Sequence, residues 1–218
     1  MRKAGPAPSR ESLPDVVPVF AVPGAILLPG GHLPLIVFEP RYIALVDDAL
    51  GAGRLFGLVQ PHDGISRPVE GLHPVGTLAR ISAFGETGDG RYLITASGLC
   101  RFRVTGETEG RGGYRRVAVD YAPYDYDFEN RPVTLPERDR LMALVRARLG
   151  DLGLDTDIEA LGVLPDGELT DRMAMVCPFP AEDKQVLLEA PTQAERCRLM
   201  IGIIQRELLD RGGSSTLH

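Results

Sequence analysis

Short apolar runs, interrupted by glycine and proline, fill residues 16–126, and this pattern constrains the fold more than any other feature of the sequence. Several runs alternate apolar and polar residues, as half-buried strands do. In CRFRVT, Arg101 and Arg103 fall on one face and the three apolar residues fall on the other. Many short strands joined by turns favour a closed or nearly closed β-barrel.

Two glycine-containing segments predict hairpins between these strands. Asp89-Gly90, within GETGDGRY, supplies residues that adopt positive φ in a tight turn. Residues 106–113, GETEGRGG, predict a second and looser hairpin tip. The strands on either side of each segment are therefore expected to be antiparallel neighbours.

One helix is predicted to interrupt the strands, beginning at Pro40 and ending at Gly51. Proline suits the first helical position because its missing N–H would have no partner there. Glu39 precedes this proline, which favours extended backbone, so its carboxylate is predicted to cap the first-turn N–H groups. Arg41 is expected to pair with a strand carboxylate or carbonyl, and Tyr42 to begin the buried face of the helix.

After Asp127 the apolar spacing changes to the helical period, which predicts a bundle of four helices. Thr134 with Glu137, and Thr192 with Glu195, have the spacing of capping boxes. The predicted organisation has a flexible tail at 1–13, a barrel at 14–128, a helical bundle at 129–211 and a disordered tail at 212–218.

Composition and motifs argue against catalysis and against nucleic acid as the main partner. The net charge is −6, whereas phosphate-binding surfaces concentrate lysine and arginine. The three cysteines lack a CxxC pair and the four histidines lack metal-ligand spacing, so reduced thiols and no metal site are expected. Neither a phosphate-binding glycine loop ending in Lys-Ser/Thr nor a GxSxG elbow occurs. No catalytic residue, cofactor or metal ligand is predicted.

Several segments together resemble a known family. VPVFAVPGAILLPGGHLPLIVFEPRYIALVDDAL, then GLVQP, VGTLARI and GDGRYLITASGLCRFRV, are similar to the N-terminal substrate-binding domain of Lon proteases. The resemblance continues into PFPAEDKQVLLEAPTQAERCRLM and covers residues 14–211. Ala21 and Leu28 depart from the family pattern, which often has proline and phenylalanine there, and neither change disturbs a strand.

The resemblance implies an α+β fold, with a PUA-like β-barrel that carries one inserted short helix and is followed by a C-terminal helical bundle. Full Lon proteases continue into an ATPase module and a Ser–Lys protease module, whose motifs these 218 residues do not contain. What carries over from the family is therefore binding without catalysis. The segment Glu39, Pro40, Arg41 and Tyr42 is read as the structural signature of the family.

The expected function is recognition of unfolded or exposed apolar polypeptide segments, or an adaptor role in protein quality control, in a cytoplasmic monomer or weak dimer. An apolar surface would serve this purpose. Candidate binding residues are Leu27, Leu28, Pro29, Leu33 and Tyr42. The alternative is an RNA-binding PUA-like module, in which four arginines share one barrel face: Arg101, Arg103, Arg115 and Arg116.

Overall fold

The computed structural model of the chain describes residues 10–62, 69–129, 133–151 and 161–214. The chain divides into two compact units, Met1–Asn130 and Arg131–His218. Most of the two predicted tails lies outside the described residues. In the described part of these tails, Arg10–Ser12 forms a short 3-10 turn, Leu13 is buried, and the last helix continues to Ser214.

The first unit contains all of the described strands. They are β1 (Val16–Ala21), β2 (His32–Val37), β3 (Leu55–Val59), β4 (Val75–Glu86), β5 (Tyr92–Arg111) and β6 (Tyr114–Asp120). They pair in the order β2-β5-β4-β3-β1-β6, and β6 also pairs with β5. Five strands thus form a closed ring of pairings, and β2 adds to this ring through β5.

Apolar side chains from the ring strands form the core of the first unit. Val17, Leu78, Cys100, Phe102 and Val117 are buried in one cluster. The close approach of strands requires glycine at position 76, because a Cβ there would lie 2.6 Å from a methyl group of Val59 and 2.8 Å from the Phe102 ring. This packing explains why glycine interrupts the apolar runs even inside strands.

The first predicted hairpin is confirmed, and the second is tighter than expected. Gly90 has φ +79° at the tip between β4 and β5. The strand β5 continues through most of residues 106–113 to Arg111, so the turn consists of Gly112 and Gly113 alone, both with positive φ. Two such residues are what a two-residue hairpin turn requires, and residues 106–108 and 111 of the predicted loop pair with β6.

The predicted helix is present as α1 (Pro40–Gly51), and it buries Tyr42, Leu45, Val46 and Ala49. Glu39 has the extended backbone of an N-cap residue, with φ −73° and ψ 132°, but its side chain makes no capping hydrogen bond. The predicted carboxylate cap is therefore wrong. The carboxylate instead accepts a hydrogen bond of 2.9 Å from Arg41 Nε, which also replaces the strand partner expected for Arg41.

The second unit is helical in its described part, so the α+β class is confirmed. Its helices are α2 (Arg138–Asp151), α3 (Asp166–Val176), α4 (Ala181–Glu189) and α5 (Gln193–Ser214). Thr192 caps α5, since its hydroxyl oxygen accepts the Glu195 N–H. The helix α2 begins only at Arg138, so Thr134 and Glu137 do not hold the N-cap and N3 positions predicted for them, and the Leu135 N–H before the helix donates to the Asp166 carboxylate.

One charged side chain of the second unit is buried against expectation. The segment EDKQ reads as an exposed helical turn, yet Lys184 is buried and its Nζ donates to the Met175 carbonyl oxygen at 3.1 Å. Burial lowers the pKa of Lys184.

Candidate functional site

A groove of about 170 Å³ lies between the end of β1 and the strand β2. We call it the β2 groove. Apolar side chains supply most of its lining, and one carboxylate lies at its end. The lining residues are Phe20, Ala21, Val22, Pro23, Leu35, Ile36, Val37, Phe38, Glu39 and Tyr42.

Two large apolar side chains of the β2 groove are exposed. Ile36 is 60% exposed and Phe38 is 66% exposed. Leu93, which lies opposite Ile36 in the β2–β5 ladder, is 47% exposed and extends the apolar surface onto the neighbouring strand. Single exposed apolar residues are common, but adjacent ones that line a concave surface mark binding sites. The groove is therefore the strongest candidate site in the described part of the first unit.

Tyr42 forms a rigid wall of the groove. Its ring stacks on Phe20 with centroids 4.0 Å apart, and its hydroxyl lies 3.3 Å from both the amide nitrogen and the carbonyl oxygen of Ala21. The Arg41 guanidinium lies 4.6 Å above the same ring and pairs with Glu39 at 2.7 Å. The apolar surface thus has a charged rim at one end.

Two of the predicted binding residues belong to the interior. Leu27 and Leu28 are buried, and the Leu27 carbonyl oxygen accepts the Thr77 hydroxyl at 2.5 Å. A side chain at Gly98 would collide with the Leu28 carbonyl oxygen, so this segment packs directly on β5. Both leucine side chains fill the core and are not on the surface of the first unit.

Tyr42 is the one predicted binding residue that lines the β2 groove. Pro29 and Leu33 are half-buried and lie outside the lining. Ile36 and Phe38 are not among the predicted binding residues, although the sequence contains a signal for them. A strand with one solvated face usually has a polar residue at every second position. In LPLIVFEP the residues at those positions are apolar as well.

A hydrogen-bonded serine–histidine chain lies on the exposed face of β2, β5 and β4. His32 Nδ1 is 2.8 Å from Ser97 Oγ, which donates to Ser82 Oγ at 2.8 Å, and Ser82 donates to the Thr95 carbonyl oxygen at 3.0 Å. A carbonyl can only accept, so every proton in the chain points towards Thr95. The His32 tautomer that carries a proton on Nδ1 completes this chain of hydrogen bonds.

The tyrosines near α1 are held neutral rather than tuned for proton transfer. Burial and the hydrogen bond to Asp48 raise the pKa of Tyr114 to about 12. The Asp47 carboxylate likewise raises the pKa of Tyr92, whose hydroxyl lies 3.0 Å from it. A general acid or base that works near neutral pH needs a pKa shifted towards 7, and these shifts go the other way.

The arginine face expected for RNA binding is not formed as predicted. Arg101 is buried beneath the 3-10 segment Ala122–Phe128 and donates two hydrogen bonds to Asp127. Arg115 pairs with Glu107 at 2.6 Å, which neutralises it locally. Arg103 is exposed and Arg116 is half-buried. Because two of the four arginines are already paired with carboxylates, the face offers much less positive charge to phosphate than expected.

Comparison with known proteins identifies the family. The model of the ATP-dependent protease La (LON) substrate-binding domain matches residues 16–206. The chain belongs to this family. The resemblance that the sequence motifs indicated is thus confirmed, and the matched domain is one that binds substrate rather than one that carries out catalysis.

Curated Lon proteases are similar over most of this chain. Lon protease 2 of Myxococcus xanthus is 27% identical over 91% of the chain, and Lon protease 2 of Sorangium cellulosum is 30% identical over 89%. The Lon protease of Geobacter metallireducens is 30% identical over 91%. The chain spans only 24–25% of the length of these relatives.

Solved structures show the same fold. A Lon N-terminal domain protein from Xanthomonas campestris matches with a TM-score of 0.62 and 24% identity, over 86% of this chain and 97% of that one. The N-terminal domain of a Mycobacterium avium complex Lon protease matches with a TM-score of 0.61 and 22% identity, over 87% and 98%. Among the described residues, no helix combines the length and the apolar character that a membrane crossing requires.

Proposed function

We propose that this member of the Lon substrate-binding domain family recognises exposed apolar segments of unfolded polypeptides, and that the β2 groove is its binding surface. The exposure of Ile36 and Phe38 beside a rigid aromatic wall is the observation that carries this proposal. Contact with an apolar segment removes both side chains from water, which is the main driving force for such recognition.

Apolar contact alone predicts weak binding at a single groove. Full burial of an isoleucine or a phenylalanine contributes about 1.5–3 kcal/mol each. Loss of translational and rotational freedom opposes association by about 4 kcal/mol or more. Weak and sequence-tolerant contact suits a module that meets many different unfolded chains. Binding at roughly 10–100 µM corresponds to about 5.5–7 kcal/mol, so polar and further apolar contacts along the bound segment must supply the remainder.

The direct test measures binding of a fluorescently labelled, permanently unfolded protein by anisotropy. We expect the wild-type chain to bind in the range of roughly 10–100 µM. The double variant Ile36→Ser, Phe38→Ser is expected to weaken binding at least about tenfold, because it removes both apolar anchors.

The matched control places the same change on exposed apolar residues of the helical unit. Val176 and Leu209 are 71% and 75% exposed. The double variant Val176→Ser, Leu209→Ser should bind as the wild type does. Equal loss in both double variants, or no binding by the wild type in the stated range, contradicts the proposal.

Further features are proposed on the same basis. The ring of strands in the first unit supports a PUA-like barrel. We propose that residues 14–128 form this barrel domain and that residues 129–211 form a helical domain. We propose that the chain acts in the cytoplasm as a monomer or weak dimer, either alone or as an adaptor to a separate protease. Light scattering tests the oligomeric state, and a stable hexamer would contradict it.

A further inference from the structure

The strand β2 has a free edge in the described part of the chain. It lies at the end of the strand order and pairs with β5 alone, whereas each strand of the closed ring has a neighbour on both sides. The unpaired edge belongs to the same residues that line the β2 groove, Leu35, Ile36 and Val37. Unpaired amide groups along an exposed strand are a template for another strand.

The register shows which amide groups face outward. Gly98 N donates to the Gly31 carbonyl oxygen at 3.0 Å, one residue before β2 begins. Backbone groups of an antiparallel strand alternate in direction, so Leu33, Leu35 and Val37 direct theirs to β5. His32, Pro34 and Ile36 direct theirs away from β5.

The position of Pro34 agrees with this assignment, since proline in a sheet is confined to positions where the missing N–H would face away from the ladder. At the free edge, Ile36 therefore offers both an N–H donor and a C=O acceptor, and Pro34 offers an acceptor only. The side chain of Ile36 lies on the exposed face beside Leu93.

We propose that β2 accepts an extended polypeptide segment as an added strand along its free edge, centred on Ile36. This deepens the proposed function and rests on it, because it specifies how the groove holds an unfolded chain. A donor and an acceptor at strand spacing match the backbone of any extended peptide, whatever its sequence. The residue opposite Ile36 lies on the face of Ile36 and Leu93, so an apolar side chain is favoured there.

A second copy of this chain fits the same edge less well than an unrelated segment does. If two β2 strands pair antiparallel with the two copies of Ile36 opposite each other, Pro34 of each copy lies opposite Phe38 of the other copy. Pro34 has no N–H to give, so one acceptor on each copy loses its hydrogen bond. A segment of different sequence can pair with β2 in another register, in which no residue of the segment needs a hydrogen-bond partner opposite Pro34.

The first experiment uses the full wild-type chain and a labelled peptide of about eight residues in which valine and threonine alternate. The peptide is also made with N-methyl groups on the valine amides only, or on the threonine amides only. Strand addition predicts that one methylated set loses about tenfold or more in affinity, because each set of amides faces one edge. If the peptide binds as an antiparallel strand with valine opposite Ile36, methylation of the valine amides is the change that lowers its affinity. Equal effects of both sets overturn strand addition.

The second experiment changes the protein instead of the peptide. Ile36→Pro removes the outward N–H, and Ile36→Ala removes the apolar side chain but keeps that N–H. We expect Ile36→Pro to bind the unmethylated peptide about fivefold or more weaker than Ile36→Ala. Equal affinities for the two variants contradict the proposal, provided that their melting temperatures agree. The methylated peptides, which need no variant, decide the question if Ile36→Pro fails to fold.

The outcomes separate this inference from the proposed function. If the unfolded protein binds and the serine double variant abolishes binding, but both methylated peptides bind alike, apolar recognition stands and strand addition is wrong. If neither the unfolded protein nor the unmethylated peptide binds, the proposed function itself is wrong. A dimer in light scattering that Ile36→Pro converts to monomer identifies a second copy as the occupant and overturns the proposal.

Discussion

Arg101 brings a permanent charge into the interior of the first unit, and the residues around it compensate that charge. Its backbone N–H donates to Asp127 at 2.8 Å, and its guanidinium donates to both oxygens of the same carboxylate. The rings of Tyr124 and Tyr126 lie 4.8 and 5.0 Å from it. Burial alone lowers the pKa of Arg101, but the hydrogen bonds and charge of Asp127 raise it overall, so the side chain stays charged.

Removal of the Asp127 carboxylate is therefore expected to be costly. Asp127→Ala leaves the Arg101 charge buried without its partner, and we expect a loss of about 3–5 kcal/mol in the free energy of unfolding. Urea denaturation measures it. Glu107→Ala removes the exposed partner of Arg115 and should cost about 1 kcal/mol or less. Similar losses in the two variants would show that the Arg101 pair contributes no more than a surface pair.

Tyr42 and Glu39 belong to one signature segment but contribute differently to stability. Since Glu39 contacts the exposed Arg41 and makes no cap, Glu39→Ala should change the free energy of unfolding by about 0.5 kcal/mol or less. Tyr42→Phe loses the hydroxyl contacts with Ala21 and should cost about 1 kcal/mol. Thermal melting of both variants checks the order, and a larger loss for Glu39→Ala contradicts it.

At the level of elements, Asp166 joins the start of α3 to the segment that leads into α2. Its carboxylate accepts the Leu135 N–H at 2.7 Å and pairs with Arg138. The Leu135 N–H, and then Arg138, lower the pKa of Asp166 below its ordinary value of 3.8. A depressed carboxyl pKa stabilises the folded state above the ordinary value, and this contribution disappears as the pH falls through the folded-state pKa.

The pH dependence of stability tests this role of Asp166. We expect Asp166→Asn to unfold more easily than the wild type at neutral pH, and the difference should shrink as the pH falls below about 4. Denaturant unfolding at a series of pH values measures it. A difference that stays constant down to pH 2 would show that the ionised carboxylate is not the stabilising species.

At the same level, some features could be predicted from sequence and others could not, for physical reasons. Asp89-Gly90 and the α1 face from Tyr42 are local, because turn chemistry and helical spacing determine them. The burial of Arg101 depends on Asp127, and the burial of Lys184 depends on the Met175 carbonyl, so neither has a signal in its own neighbourhood. The run LPLIVFEP indicates an apolar strand, but it does not show that the face of β2 carrying Ile36 stays uncovered, because that depends on the elements packed around the strand.

For the whole molecule, the alternation before residue 127 and the helical period after it predict the α+β class correctly. Periodicity does not show which strands are neighbours. The sheet places β1 between β3 and β6, and β5 against three other strands, an arrangement set by long-range pairing.

The pairing of β1 with β6 also has a consequence for synthesis on the ribosome. Val16 pairs with Ala118, so β1, which is made before the other described strands of its unit, needs β6, which is made after them. At about 5–20 residues per second, the roughly hundred residues between them take about 5–20 s to make. During that time the nascent β1 lacks its β6 partner. A protein that we propose binds unfolded chains is thus, while it is being made, a potential ligand for its own finished copies.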